Sequence, residues 1–193
     1  ERLPRSLPDA LRYEPGIYVQ QTSAGQGSAF VRGRTGQQVV LLFDGIRLNN
    51  SLFRQGPNQY FFTIDLRTIA SIDTIRGGAA TRWGSDAIGG VLDAIPRAPD
   101  PDGARWRPRL FARAATADDE LGGRGEVAAA PWAGAQLLVG GGYRSIGLLE
   151  SGGTVRGDDG LPAQVPRFDD DGRTQLGTGF DEAAWDARLV QGL

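Results

Sequence analysis

The sequence predicts an α+β domain over residues 1–98, a linker at 99–104, and antiparallel β-strands across 105–193. Three observations carry that prediction. Helix and strand signals are mixed as far as residue 98. A Pro/Asp-rich run, PRAPDPDGA at 96–104, then interrupts the pattern. Beyond it the hydrophobic period becomes two, the period of a strand with two unlike faces.

In the first segment Ser6 is placed to cap a short helix carrying Leu7, Leu11 and Arg12, which Pro15-Gly16 stops. Residues 17–19 and 29–32 read as short strands. Residues 38–43 carry an apolar run closed by Asp44-Gly45, the pattern of a buried strand meeting a tight turn. Residues 69–76 alternate as a further strand. A Gly-rich turn with a short helical stretch at 77–85 leads to a last strand at 88–92.

In 105–117, Trp106, Leu110, Ala112 and Ala114 share one face, and Arg105, Arg107, Arg109 and Arg113 the other. In 123–131, Val127 and Ala129 oppose Arg124 and Glu126. In 135–145, Leu137, Val139 and Tyr143 oppose Gln136 and Arg144, with Leu138 breaking the rule. In 184–193, Trp185, Ala187, Leu189 and Leu193 oppose Asp186 and Arg188. Such strands fit a soluble sheet with one buried face. They also fit a membrane barrel with its apolar face on lipid and its charged face on a polar lumen. Strands of roughly ten residues favour the barrel, as do Trp106, Trp132, Tyr143 and Trp185 near strand ends, where an aromatic girdle would stand. So does the asymmetry of connections, short at 118–122 and 132–134 and long and polar at 149–182. Period alone leaves both readings open.

Composition narrows the function. A net charge of −2 gives no reason to expect nucleic acid as a partner. With no cysteine and no histidine, disulfides, thiolate metal sites and the usual general base near neutral pH are all excluded. No serine therefore has a histidine beside it, the carboxylates fall in turns and strand ends, and no enzyme constellation or resident cofactor is expected. The 29 glycines among 193 residues suit many turns and close backbone approaches. The chain starts at Glu1 and lacks methionine, from which a processed or partial chain is expected. No window is long and apolar enough for a membrane helix. The acidic residues Asp158, Asp159, Asp169, Asp170, Asp171, Asp181 and Glu182 offer hard oxygen ligands that could bind calcium, but they lack the spacing of a calcium loop and read first as a solvated acidic stretch.

Three blocks in the first segment then carry a resemblance. Residues 7–17 (LPDALRYEPGI) resemble the opening helix of TonB-dependent outer-membrane receptor plugs. Val31-Arg32-Gly33 followed by residues 40–49 (VLLFDGIRLN) resembles that family's second block. Residues 72–77 (IDTIRG) followed by 83–91 (WGSDAIGGV) resemble its third. The three lie in order across nearly all of 6–96. There are departures: Asp73 stands for the family's Glu, Gly78 for its Pro, Trp83 for its Tyr, and Leu92-Asp93-Ala94 for its Asn-Ile after "GGV".

The resemblance implies a plug domain followed by the first four or so strands of a barrel that is incomplete here, a large plugged barrel being expected to need about 22 strands. It implies TonB as energy-coupling partner, through a segment upstream of Glu1, with localisation in the outer membrane. The cargo it implies is a bulky small molecule of the ferric siderophore, haem or cobalamin class. The pattern at 76–90 is less like the polysaccharide-importing branch, and the lack of histidine mildly disfavours haem. A surface receptor that binds without transporting, or an inactive truncated receptor, is the alternative. In resembling receptors the arginines matching Arg32 and Arg76 face barrel-wall carboxylates. Outward plug loops matching 20–28 and 49–63 floor the ligand site; the second carries Asn50, Phe53, Arg54, Gln55, Asn58, Gln59 and Tyr60, aromatic, amide and cationic groups suited to a polar chelate. Phe61 and Phe62 are expected to pack rather than bind.

Overall fold

The computed structural model describes residues 3–23, 26–48, 56–57, 60–99, 106–116, 118–158, 160–161 and 167–192. The chain divides into two compact units, one of Glu1–Thr22 and Gln26–Ala98 and another containing Pro99–Leu193.

The first unit opens with α1 (Leu7–Ala10), which is shorter than the sequence suggests. The Ser6 hydroxyl accepts the Asp9 N–H at 3.3 Å, and Leu11 is already the C-cap. The helix survives because Leu7 and Leu11 are buried in the core, since one turn has too few internal bonds to stand alone. β1 (Ile17–Ser23) pairs with β2 (Gln26–Val31) in a two-stranded sheet. The expected loop at 20–28 is therefore mostly strand, with β1 running to Ser23 and β2 starting at Gln26.

A mixed four-stranded sheet forms the centre, in the order β4-β3-β6-β5. β3 (Val39–Phe43) is the expected apolar strand, and Asp44 and Gly45 turn it into β4 (Ile46–Arg47) with φ of 52° and 76°, the left-handed pair of a tight hairpin turn. β5 (Ile69–Arg76) has the predicted limits. After α2 (Ala80–Trp83), β6 (Gly90–Pro96) starts two residues later than predicted, because Ile88 belongs to the preceding 3-10 turn and is 60% exposed. β6 lies parallel to β3 and antiparallel to β5. Both faces of β3 and β6 are covered: Val39, Leu41, Leu92 and Ala94 join Leu7, Leu11, Val31 and Phe61 in one apolar cluster, and Val40, Leu42 and Val91 join Ala79 and Ala87 in another. Two-sided burial explains why β3 reads as continuous rather than alternating.

The second unit is one antiparallel sheet in the order β12-β9-β8-β7. Its strands are β7 (Trp106–Ala115), β8 (Glu120–Ala129), β9 (Ala135–Ile146) and β12 (Phe180–Gln191). Between β9 and β12 a small ladder joins β10 (Leu149–Glu150) to β11 (Thr174–Gln175). β8 begins earlier than its hydrophobic signal because Gly122 and Gly123, which carry none, pair with Arg144 and Tyr143 of β9. The four described strands leave edges at β7 and β12 and do not close on themselves.

The sheet has its faces reversed relative to a soluble one. Leu110 and Trp185 are each 87% exposed, and Trp106, Leu121 and Leu189 also stand out from the apolar face. On the opposite face Glu120, Arg124, Glu126 and Arg144 are buried. A soluble half-buried sheet would show the opposite, so the barrel reading is the one the fold supports. Trp106 begins β7 and Trp132 lies in the β8–β9 turn, as an interfacial pair would. Tyr143 is further in, and Trp185 is the sixth of the twelve residues of β12, opposite Gly141. Its placement corrects the expectation of a strand-end aromatic.

Candidate functional site

Three groups of residues in the first unit are nominated by sequence: the arginines Arg32 and Arg76, and the stretches at 20–28 and 49–63. The structure brings the arginines together. Arg32 follows β2 with φ of 51°, a left-handed conformation rare for a side-chain-bearing residue, and its backbone N–H donates to the Gly16 carbonyl at 2.8 Å. Arg76 ends β5, and its guanidinium donates to the neighbouring Pro15 carbonyl. The Arg32 guanidinium lies over Gly77; a Cβ there would be 2.1 Å from Arg32 Nη1. The turn at 15–16 is thus held by the backbone of one arginine and the side chain of the other.

Both side chains are exposed. Among the described residues neither makes an ion pair with a carboxylate. Their neighbours in the same unit do: Arg12 with Asp9 at 2.8 Å, Arg67 with Asp65 at 2.8 Å, and Arg47 with Asp86.

Of the residues nominated for ligand contact, Asn50, Phe53, Arg54, Gln55, Asn58 and Gln59 lie outside the described residues. Tyr60 opens a 3-10 turn (Tyr60–Thr63), is 41% exposed, and its carbonyl accepts the Thr63 hydroxyl at 2.7 Å. Phe61 is 2% exposed in the core and Phe62 is half-buried, as packing residues should be. In the other nominated stretch Ser28 is buried, with its hydroxyl 3.3 Å from that of Thr35. A groove of about 720 Å³ runs along β5 against Ala10, Leu11 and Glu14 and ends at Arg76; Tyr60 does not line it.

The charged face of the second unit is organised in a way the sequence did not announce. Arg109 pairs with Glu126 at 3.3 Å, Arg113 with Glu120 at 3.0 Å, and Arg144 with Glu182 at 2.6 Å. Arg124 reaches Glu126 at 3.2 Å on its own strand and Asp186 at 2.5 Å on β12, two strands away. It does so by crossing β9 over Gly140, where a Cβ would fall 2.1 Å from Arg124 Nη2. Burial makes each charge costly alone, so the pairs depend on one another. Strand period marks these residues as one face; their pairing rests on register, which aligns Glu126, Gly140 and Asp186.

The long connection of this unit uses its acids locally. Asp171 accepts the Thr174 hydroxyl at 2.6 Å and the N–H groups of Arg173 and Thr174 at 2.7 and 2.9 Å. Those bonds, the Thr174 hydroxyl first, hold its carboxyl below the usual carboxylate range. No group of acidic residues spaced to hold a metal ion is present among the described residues.

Comparison with known proteins matches residues 1–91 to the TonB-dependent receptor plug domain family. The vitamin B12 transporter BtuB of Photobacterium profundum is 36% identical over 92 residues, covering 47% of this chain and 15% of that protein. The chain thus spans about 15% of the length of this relative. The apoprotein form of the FrpB iron transporter from Neisseria meningitidis superposes with a TM-score of 0.71 at 15% identity, covering 97% of this chain and 27% of that one. A mutant ferric enterobactin receptor, PfeA, from Pseudomonas aeruginosa in complex with enterobactin gives 0.60 at 19% identity, covering 78% and 24%. The structural likenesses establish the fold, a plug followed by antiparallel barrel strands.

Proposed function

We propose that this chain, whose residues 1–91 match the TonB-dependent receptor plug domain family, supplies the gate and first wall strands of a transporter for a scarce, bulky ligand. The cargo class is a ferric siderophore, haem or cobalamin. The ligand is bound on the outer side, and an inner-membrane TonB complex acts on the plug to let it pass. The observation that carries this reading is the succession of a plug and a sheet with its apolar face outward and its charges paired inward. Only a wall between lipid and a polar lumen rewards that inversion.

On this reading the plug stands in the barrel lumen of an outer-membrane protein. Arg32 and Arg76 dock it by charge-assisted bonds to wall carboxylates. Glu120, Glu126, Glu182 and Asp186 already hold arginines of their own sheet, so the docking acids belong to other strands. Asn50, Phe53, Arg54, Gln55, Asn58, Gln59 and Tyr60 form the floor of the ligand site. The test is growth of a strain lacking the full-length gene on a panel of ferric siderophores, haem and cobalamin, with and without TonB. Loss of growth on one of them, reproduced by removing TonB, is expected. Binding of a ligand that neither supports growth nor depends on TonB would favour a surface receptor that transports nothing.

A further inference from the structure

The stretch that carries Tyr60 has a seat that nothing in its own sequence marks. Gly36, in the 3-10 turn Gly36–Gln38 after β2, adopts φ of 63°, and a Cβ on it would lie 2.3 Å from the Gly56 carbonyl oxygen and 2.9 Å from the Gly56 nitrogen. Backbone meets backbone here, and no flexible side chain is available to yield. Four residues after Gly56 the chain enters the turn Tyr60–Thr63, where Phe61 is buried and, together with Ser28, Ala29, Thr35, Gly36, Val39 and Leu41, borders one small cavity. One glycine therefore borders both the Gly56 backbone and the cavity beside Phe61. Thr35 stiffens the same place, its hydroxyl reaching the Ala29 carbonyl at 3.3 Å.

We propose that Gly36 and Phe61 are positioning residues for ligand recognition: the missing side chain at 36 lets Gly56 close on the turn, Phe61 locks it there, and Tyr60 is thereby held facing outward. The proposal rests on the reading that Tyr60 borders the ligand site. Neither positioning residue touches the ligand.

Substitution separates this role from ordinary backbone strain. Gly36→Ala adds both the left-handed strain of a Cβ and the collision with Gly56. Gly33→Ala is the control, since Gly33 has φ of 76° but no atom within 4 Å of the place a Cβ would take. In the full-length receptor in detergent, hydrogen exchange of the peptide spanning 56–63 is to accelerate about tenfold in Gly36→Ala, with β3 and β6 unchanged and with little effect from Gly33→Ala. Equal behaviour of the two variants, or no acceleration in either, would overturn the seat. If Gly36→Ala does not assemble, Phe61→Ala opens the same seat from its other side and must show the same local acceleration. Cyanocobalamin and ferric enterobactin are the binding probes. For whichever one wild type binds, Gly36→Ala is to weaken affinity about tenfold, roughly the loss of one well-placed contact. Accelerated exchange with unchanged affinity would overturn the positioning role. Failure of wild type to bind either probe would count against the ligand class proposed above while leaving the exchange result to judge the seat.

Discussion

The two units solve the same problem of burial with opposite signs. In the plug, Leu42 and Leu92 are wholly buried while Arg32 and Arg76 stand exposed; in the four-stranded sheet, Leu110 and Trp185 stand exposed while Arg124 and Glu126 are buried. The two arrangements are stable only against different solvents. Water outside drives leucines into the plug by roughly 1.5–3 kcal/mol each. On the proposed reading lipid lies outside the sheet, which removes that drive and penalises any charge turned outward, and charges turned inward and neutralised in pairs fit it. What counts as a core residue is set by the surroundings of the chain and not by residue type alone.

That contrast can be broken at four places, taken from the largest expected effect to the smallest. Arg124→Ala leaves Glu126 and Asp186 without their shared cation, and is expected to destabilise the assembled receptor by about 3–5 kcal/mol in denaturant unfolding. An effect near zero would mean that water, or Arg109 in the case of Glu126, and not Arg124, neutralises those acids. In the plug, Leu92→Ala removes a fully buried side chain and is expected to lower stability by about 2–5 kcal/mol, whereas Arg76→Ala should cost only about 0.5–1.5 kcal/mol, the loss of one exposed hydrogen bond to the Pro15 carbonyl. On the sheet, Leu110→Arg exchanges one of the most exposed apolar residues for a charge. A water-facing site would tolerate it within about 0.5 kcal/mol. A lipid-facing site near mid-bilayer should lose about 2–4 kcal/mol, measured by reversible unfolding in bilayers.

The smallest effect belongs to the long connection. The Asp171 carboxyl is held below its ordinary range by Thr174 and the local N–H groups. A depressed folded-state pKa means that its contribution is present above the unfolded value and is lost as pH falls through the folded value. The turn at 169–174 should therefore keep its amide protection from neutral pH down to the ordinary carboxylate range and lose it below that. Asp171→Asn should reduce the protection at every pH, and a turn indifferent to both changes would show that the carboxylate does not hold it.

Much of this fold is legible in the sequence, for identifiable reasons. The limits of β5 and the apolar run of β3 are readable because side-chain pattern and strand coincide there. The face assignments of Trp106, Leu110, Arg109 and Arg124 follow from period two. The first residues of β8 escape the pattern because Gly122 and Gly123 carry no hydrophobic signal, and α1 is shorter than its pattern because its end is set by the packing of Leu11 and not by Pro15. Both nominated arginines are brought to one corner beside Pro15 and Gly16, a meeting that the motif blocks do not state. The Arg124–Asp186 tie spans 62 residues and the Gly36–Gly56 approach joins two turns, and such juxtapositions arise only once register and tertiary packing are fixed. The same holds for Trp185, whose place in mid-strand depends on where β12 begins.

The central claim, that the two faces of the sheet meet lipid and lumen, is open to direct measurement. This chain has no cysteine, so single labels can be placed along β7. Spin labels at Leu110→Cys and Ala112→Cys, and at Arg109→Cys and Phe111→Cys, would be read in the full-length receptor in bilayers for collision with oxygen and with a water-soluble nickel chelate. Alternation is predicted, with oxygen reaching positions 110 and 112 preferentially and nickel, where it enters at all, reaching only 109 and 111. Equal nickel access at all four positions, or the reverse alternation, would contradict the assignment of the two faces.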